Sequence, residues 1–114
     1  MRGLIIQQPY LDNILNGLKT VRIRTRNTNI RGQVALCYNG YIHGFADIVD
    51  SYQVPRSQLL TPKWEKKHRA IQYLLHGPHS TKEALWIWEL SHIQKLQFPI
   101  PYEHPKGAGV WVNV

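Results

Sequence analysis

The sequence contains one cysteine, few acidic residues and no long apolar run. A single thiol excludes an internal disulfide framework and cannot form a cysteine-based zinc site by itself. Cys37 lies in the apolar run VALCY, so we predict a buried structural thiol. No apolar run approaches the roughly 20 residues that a membrane span needs, and the N-terminal one is too short for a signal peptide. We therefore expect a cytoplasmic protein without a membrane segment.

Acidic residues are outnumbered two to one by basic ones. The 114 residues include 7 Asp and Glu against 14 Lys and Arg, which gives a formal net charge of +7 with neutral histidines. Such a field favours anionic partners such as RNA, DNA or nucleotides. The alternative is a basic soluble protein with no such partner, because net charge governs association and not fold.

Several catalytic and cofactor motifs are also missing. The sequence has no P-loop, no glycine-rich dinucleotide loop and no G-x-S-x-G nucleophile elbow. His76 and His79 flank a Gly-Pro pair without a third ligand nearby, whereas a catalytic zinc normally needs three. Asp47 and Asp50 lie three apart in a predicted strand and would point to opposite faces. We expect neither a metal site nor a cofactor.

Hydrophobic periodicity and turn residues predict one mixed domain. A length of 114 residues suits a single domain. Pro9 and Gly17 bound a short helix, Asn39-Gly40 predicts a β-hairpin, and Gly44 predicts a bulge or a sheet corner. The segment from residue 97 to residue 109 is predicted to be an extended proline-rich arm. Strands are predicted at residues 2–7, 19–26, 33–39, 41–50, 83–93 and 110–114, and helices at residues 9–16 and 62–75. This order predicts a small curved sheet or a partly closed barrel with about two flanking helices.

The clearest functional signal is the basic stretch LKTVRIRTRNTNIRG, residues 18–32. Its alternation places Val21 and Ile23 on one strand face and Arg22, Arg24 and Arg26 on the other. Guanidinium groups suit bidentate contact with phosphate and stacking on bases. The alternative is a solvated strand edge.

A second basic cluster is KWEKKHR, residues 63–69, in which Trp64 is embedded. Aromatic residues interleaved with basic ones are typical of surfaces that bind single-stranded nucleic acid. A solvated helix face that includes His68 is the alternative.

Both ends of the chain resemble the small stand-alone ASCH-domain proteins of the PUA-like superfamily of β-barrels. The similarity lies in LIIQQPYLDNILNGLKTVRIRTRNTNIRG and PIPYEHPKGAGVWVNV, while residues 51–83 carry little of it. The family motif is G-x-K-x-x-E-x-R. Gly17, Lys19 and Arg24 match it, whereas Arg22 stands in place of the glutamate. The resemblance implies one PUA-like domain over residues 1–114, of class α+β, with a cleft beside the first helix and the motif strand.

The resemblance also implies two classes of activity. PUA-like domains of this kind are thought to bind RNA or modified nucleosides. One ASCH branch resembles an amidohydrolase of N4-acetylcytidine that uses Lys, Thr and Glu, and another member looks like a ribonuclease. By position the Lys is Lys19, and the nucleophilic Thr falls on Arg22, which cannot serve as a nucleophile. The glutamate is either Glu65 or Glu83, with no basis to choose.

Two hypotheses follow. In the favoured one, a cationic cleft binds RNA, another single-stranded nucleic acid or a nucleotide. In the other, the protein is a hydrolase of an acylated nucleoside or of RNA, and Lys19 needs a pKa lowered by burial or by cationic neighbours. Thr20 would be a displaced nucleophile, but its side chain diverges from that of Lys19. The candidate ligand contacts are Gln8, Tyr10, Lys19, Arg22, Arg24, Arg31 and Trp111, of which Tyr10 and Trp111 would stack on a base.

Overall fold

A computed structural model describes all 114 residues as six strands and four short helices. In chain order these are β1 (Arg2–Ile5), α1 (Tyr10–Leu15), β2 (Val21–Arg24), β3 (Gly32–Tyr38), β4 (Tyr41–Pro55), α2 (Arg56–Leu59), α3 (Pro62–His68), α4 (Ile71–His76), β5 (Ala84–Pro101) and β6 (Trp111–Asn113). The predicted α+β class is confirmed, with four short helices where about two were predicted. None of the helices is long and apolar enough to span a membrane.

All six strands join one mixed sheet in the order β2-β5-β4-β3-β1-β6. Only β1 and β3 are parallel, and the other neighbouring pairs are antiparallel. The sheet is not closed, because β2 and β6 form no ladder with each other. Side chains nevertheless connect its two ends: Trp88 of β5 stacks on Trp111 of β6, and Arg22 of β2 donates a hydrogen bond to the Ile5 carbonyl of β1. The predicted barrel is therefore an open sheet that curls on itself.

Local turn chemistry explains the hairpin and the sheet corner. Asn39 and Gly40 both have positive φ, 53° and 82°, as a tight hairpin between β3 and β4 requires. The register between β4 and β5 shifts between Ile42 and Gly44. A Cβ atom at Gly44 would lie 2.4 Å from the Gln94 carbonyl oxygen, so only glycine permits this approach. The predicted hairpin and the predicted irregularity at Gly44 are both confirmed.

The single helix predicted over residues 62–75 is wrong. The chain forms α3 and α4 instead, separated at Arg69, whose φ of 51° is left-handed. The break is stabilised by contacts that the local sequence does not reveal. His68 accepts a hydrogen bond from the Ala70 amide, and the Lys67 carbonyl accepts one from the Thr20 amide. These contacts direct α4 back toward β2.

The prediction that residues 97–109 form a separate arm is partly wrong, because β5 continues to Pro101. Beyond Glu89 the strand loses β2 as a neighbour and pairs only with β4. It is then an edge strand, where proline is tolerated because one side of the backbone needs no ladder donor.

Two buried clusters hold the helices in place. One packs α1 against the sheet and includes Leu11, Ile14 and Leu36. The other packs α2, α3 and α4 against β2 and β5, and it buries Ile23, Leu74 and Ile87. As a result α4 packs on the face of β2 that carries Val21 and Ile23. Arg22 lies on the other face, where its ladder partner Trp88 belongs to the cluster around α1, so the face predicted to be open is covered from that side.

Candidate nucleic-acid interface

A pocket of about 130 Å³ opens where β2, α1 and α4 meet. We call it the Lys19 pocket. Four of the predicted site residues line it, namely Tyr10, Lys19, Arg22 and Arg24. The lining contains three basic side chains and no acidic one. The complete set is Gln7, Tyr10, Lys19, Arg22, Ile23, Arg24, Ala70 and Tyr73.

Lys19 is almost fully buried, with 2% of its surface exposed. Its Nζ donates a hydrogen bond of 2.5 Å to the His68 carbonyl oxygen and lies 5.4 Å from the centre of the Tyr10 ring. Burial, followed by repulsion from Arg22, lowers the pKa of Lys19 from 10.5 to about 7. The side chain can therefore exchange a proton near neutral pH.

His68 supports this lysine and is not on a solvated helix face as predicted, because its side chain is fully buried. Its Nδ1 accepts a hydrogen bond from the Ala70 amide, so the neutral ring carries its proton on Nε2 and donates it to the Leu59 carbonyl at 2.7 Å. Burial lowers the pKa of His68, which favours this neutral form. The ring fixes the turn between α3 and α4. The backbone carbonyl of His68, which lies in this turn, accepts the hydrogen bond from Lys19.

Arg22 is also buried, with 9% of its surface exposed. One terminal nitrogen, Nη2, donates to the Ile5 carbonyl at 3.2 Å, whereas the buried Nε has no hydrogen-bond partner. Burial, and next the charge of Arg24, lower the pKa of Arg22 to about 10, while Tyr73 acts in the opposite direction. The group stays charged at neutral pH, and its buried Nε retains an unused donor.

Arg24 connects the pocket to a second recess, which we call the Trp111 groove. The groove has a volume of about 300 Å³ and lies between the loop after β2 and the start of β6. The guanidinium carbon of Arg24 lies 6.0 Å from the centre of the Trp88 ring, and the side chain is half-buried. The groove is lined by Arg24, Thr25, Arg26, Asn27, Thr28, Trp88, Val110 and Trp111.

The remaining predicted contacts lie elsewhere. Gln8 is engaged with Asp12, whose carboxylate and amide it contacts at 3.0 and 3.1 Å, and the neighbouring Gln7 lines the pocket instead. Arg31 donates to the Thr28 and Ile30 carbonyls at 2.9 Å and lies 3.9 Å from the Asp50 carboxylate. Trp111 lines the groove and not the pocket.

Sequence reasoning missed the wall that α4 contributes. Ala70 and Tyr73 come from the segment with little family resemblance, about fifty residues after β2. Burial raises the pKa of Tyr73, so its hydroxyl remains a protonated donor at neutral pH. The signal available was the helical spacing of apolar residues over 62–75, which indicated a buried helix face but not what it packs against. No three His, Cys, Asp or Glu side chains come together in a way that could hold a metal ion.

Comparison with known proteins gives a consistent result. The sequence model of the ASCH domain matches residues 4–100. Among solved structures, an ASCH protein from Zymomonas mobilis superposes with a TM-score of 0.69 at 19% identity, over 88% of this chain and 72% of that one. A serine-to-alanine mutant of that protein superposes with a TM-score of 0.74 at 15% identity, over 99% of this chain and 87% of that one. A tyrosine-to-phenylalanine mutant superposes with a TM-score of 0.71 at 18% identity, over 88% of this chain and 74% of that one. No curated protein matches the sequence.

Proposed function

The chain belongs to the ASCH-domain family, and on that premise we propose that it binds RNA or a nucleotide through the Lys19 pocket. ASCH domains have a PUA-like fold that is generally linked to RNA binding. The observation that carries the proposal is Arg22, a buried guanidinium that lines an acid-free pocket and whose Nε has no partner. A buried donor without a partner costs free energy, which an acceptor on a ligand would recover.

The size of the pocket limits what enters it. Pockets for whole drug-sized ligands measure about 300–1,000 Å³, whereas an apolar cavity of about 150 Å³ holds one benzene ring. At about 130 Å³, the Lys19 pocket fits one ring or one phosphoryl group of a nucleotide, and the rest stays outside. Tyr10 and Tyr73 supply aromatic walls for a ring.

The three basic side chains of the pocket have separate roles in this proposal. Arg22 offers a fixed donor inside the pocket, and Arg24 at its mouth offers a half-exposed guanidinium suited to phosphate. Lys19 supplies positive charge when it is protonated. The net charge of +7 accelerates the encounter with a polyanion and makes binding sensitive to salt.

A binding assay with single-stranded RNA tests the proposal. We expect Arg24→Ala to weaken binding about tenfold and to reduce the steepness of its salt dependence, because one phosphate contact is lost. Arg2→Ala is the matched control, since Arg2 is an exposed arginine of β1 that lines neither recess. No affinity at low salt, or equal effects of the two substitutions, would contradict the proposal.

A second candidate function rests on the buried Lys19 amine, whose pKa is about 7. Such an amine is an effective nucleophile or general base at neutral pH. Neither Glu65 nor Glu83 lines the pocket, and the Thr20 side chain is exposed and outside it. A hydrolase at this site would therefore depend on Lys19 itself, with the Tyr73 hydroxyl as the nearby proton donor.

Incubation with N4-acetylcytidine tests this second candidate. If the chain is an amidohydrolase, the wild type releases acetate and cytidine, and Lys19→Ala abolishes the release. Thr20→Ala serves as the control and should remain active. Absence of turnover, or turnover that survives Lys19→Ala, would refute hydrolysis at this site.

A further inference from the structure

Resting on the proposed RNA-binding function, we infer that the ligand is a single strand of at least two adjacent nucleotides and not a free nucleoside. One nucleotide occupies the Lys19 pocket. The strand then passes Arg24 and enters the Trp111 groove, where the next base stacks on Trp111.

The two recesses adjoin at a single residue that serves both. Arg24 lines the pocket and the groove, and its guanidinium lies over the Trp88 ring. A phosphodiester that links two nucleotides would lie between their two bases, which is where this guanidinium stands. The pocket alone, at about 130 Å³, leaves most of a nucleotide outside, and the groove adds about 300 Å³ beside it.

Trp111 has the support that a stacking platform needs. Its ring lies on that of Trp88, with centroids 5.8 Å apart and planes inclined by 18°. Trp88 is 3% exposed, and its indole N–H donates to the Arg26 carbonyl at 2.9 Å. Trp111 is only half-buried and borders the groove. Because its position is fixed by packing, little side-chain freedom is lost when a base stacks on it.

The polar lining of the groove suits a nucleic-acid backbone. Arg26 is exposed, Thr25 and Asn27 add hydrogen-bonding groups, and no acidic residue lines the groove. Trp111 also lies beyond residues 4–100, the part of the chain that the family model matches. The groove therefore combines Val110 and Trp111 of the C-terminal segment with six residues from the matched part of the chain.

Calorimetric titration with uridine 5′-monophosphate and with the dinucleotide of uridine tests the inference. The measured quantity is the ratio of the two affinities for each protein. We expect the wild type to bind the dinucleotide at least about tenfold more tightly, since stacking on an aromatic residue contributes that order of affinity per base. Trp111→Leu and Arg26→Ala should reduce the ratio below about threefold, while Trp111→Phe, which keeps an aromatic face, should preserve most of it.

Arg26→Ala keeps the test decisive if Trp111→Leu impairs folding, because the Arg26 side chain is exposed. If the wild type binds both ligands equally, or if neither substitution changes the ratio, the inference is wrong while the proposed function stands. If the wild type binds neither ligand nor longer RNA at low salt, the proposed function fails as well.

Discussion

Replacing Arg22 with methionine is expected to weaken RNA or nucleotide binding about 100-fold while making the protein more stable. Removal of one partner of a buried charged hydrogen bond costs about 2–5 kcal/mol of binding free energy, and 100-fold corresponds to about 2.7 kcal/mol. The long, flexible methionine side chain fills the same space but offers no donor. The expected loss is large because the Arg22 Nε is a buried donor that the protein leaves unpaired.

The expected gain in stability comes from the same burial. Arg22 is charged, has an unpaired Nε and stands near Lys19 and Arg24, both of which repel it. Exchange of a buried charged group for an apolar one of similar volume is often neutral or stabilising by about 1–4 kcal/mol. The lost hydrogen bond to the Ile5 carbonyl offsets about 1 kcal/mol of that. We expect the free energy of unfolding to rise by about 1 kcal/mol.

Urea unfolding and RNA titration of the same preparations measure both effects. Arg2→Met is the matched control, because it exchanges an exposed arginine of β1 for the same residue. We expect it to change both quantities little. Suppose instead that Arg22→Met has a lower free energy of unfolding than the wild type and an equal affinity for RNA. Arg22 then has a structural role, and the proposed role in binding is wrong.

The environment of Arg22 could be predicted only in part from the sequence. The alternation of residues 19–26 correctly predicted a strand with Val21 and Ile23 facing the core. It assigned Arg22 to an open face, because a period of two gives the side of a strand but not what covers that side. In the structure that face turns toward the cluster around α1, because Arg22 pairs across the ladder with Trp88 and donates to the Ile5 carbonyl. Arg22 is therefore buried, Tyr73 of α4 lines the remaining opening, and the site is a pocket and not a flat basic surface.

The contribution of α4 is invisible in local sequence because tertiary contacts create it. The break between α3 and α4 falls at Arg69 and Ala70, neither of which normally ends a helix. It depends on His68, whose ring bonds to the Leu59 carbonyl and to the Ala70 amide. Short-range signals such as Asn39-Gly40 predict well because the turn needs nothing beyond its own residues. The pocket needs segments about fifty residues apart, which no periodicity relates.

The second large effect concerns pH and Lys19. We expect the stability of the wild type, relative to a Lys19→Met variant, to rise by about 2 kcal/mol between pH 7 and pH 9. The pKa of Lys19 is about 7 in the folded protein and 10.5 in the unfolded chain. Below pH 7 both states hold the proton, so the full cost of burying the charge opposes folding. Between pH 7 and 10.5 only the unfolded chain retains it, and stability therefore increases with pH.

The comparison with Lys19→Met isolates this group from others that titrate in the same range. Burial raises the pKa of Cys37 to about 11, which lowers stability above pH 9 in both proteins equally. His68, with its lowered pKa, lowers stability only as the pH falls below 6.5. Lys63→Met, at an exposed lysine of α3, controls for the substitution of lysine by methionine. Its free energy of unfolding should change with pH in the same way as that of the wild type. Parallel curves for the wild type and Lys19→Met across pH 7–9 would contradict the assignment.

Loss of the Lys19 proton should weaken ligand binding while it stabilises the free protein. An anionic group in the pocket favours protonated Lys19, so RNA affinity should fall as the pH rises above 7 while the free protein becomes more stable. In Lys19→Met the affinity should be weaker at pH 6 and nearly independent of pH up to 9. A wild-type affinity that is constant over this range would mean that the ligand does not reach Lys19, and would place binding at Arg24 and the groove alone.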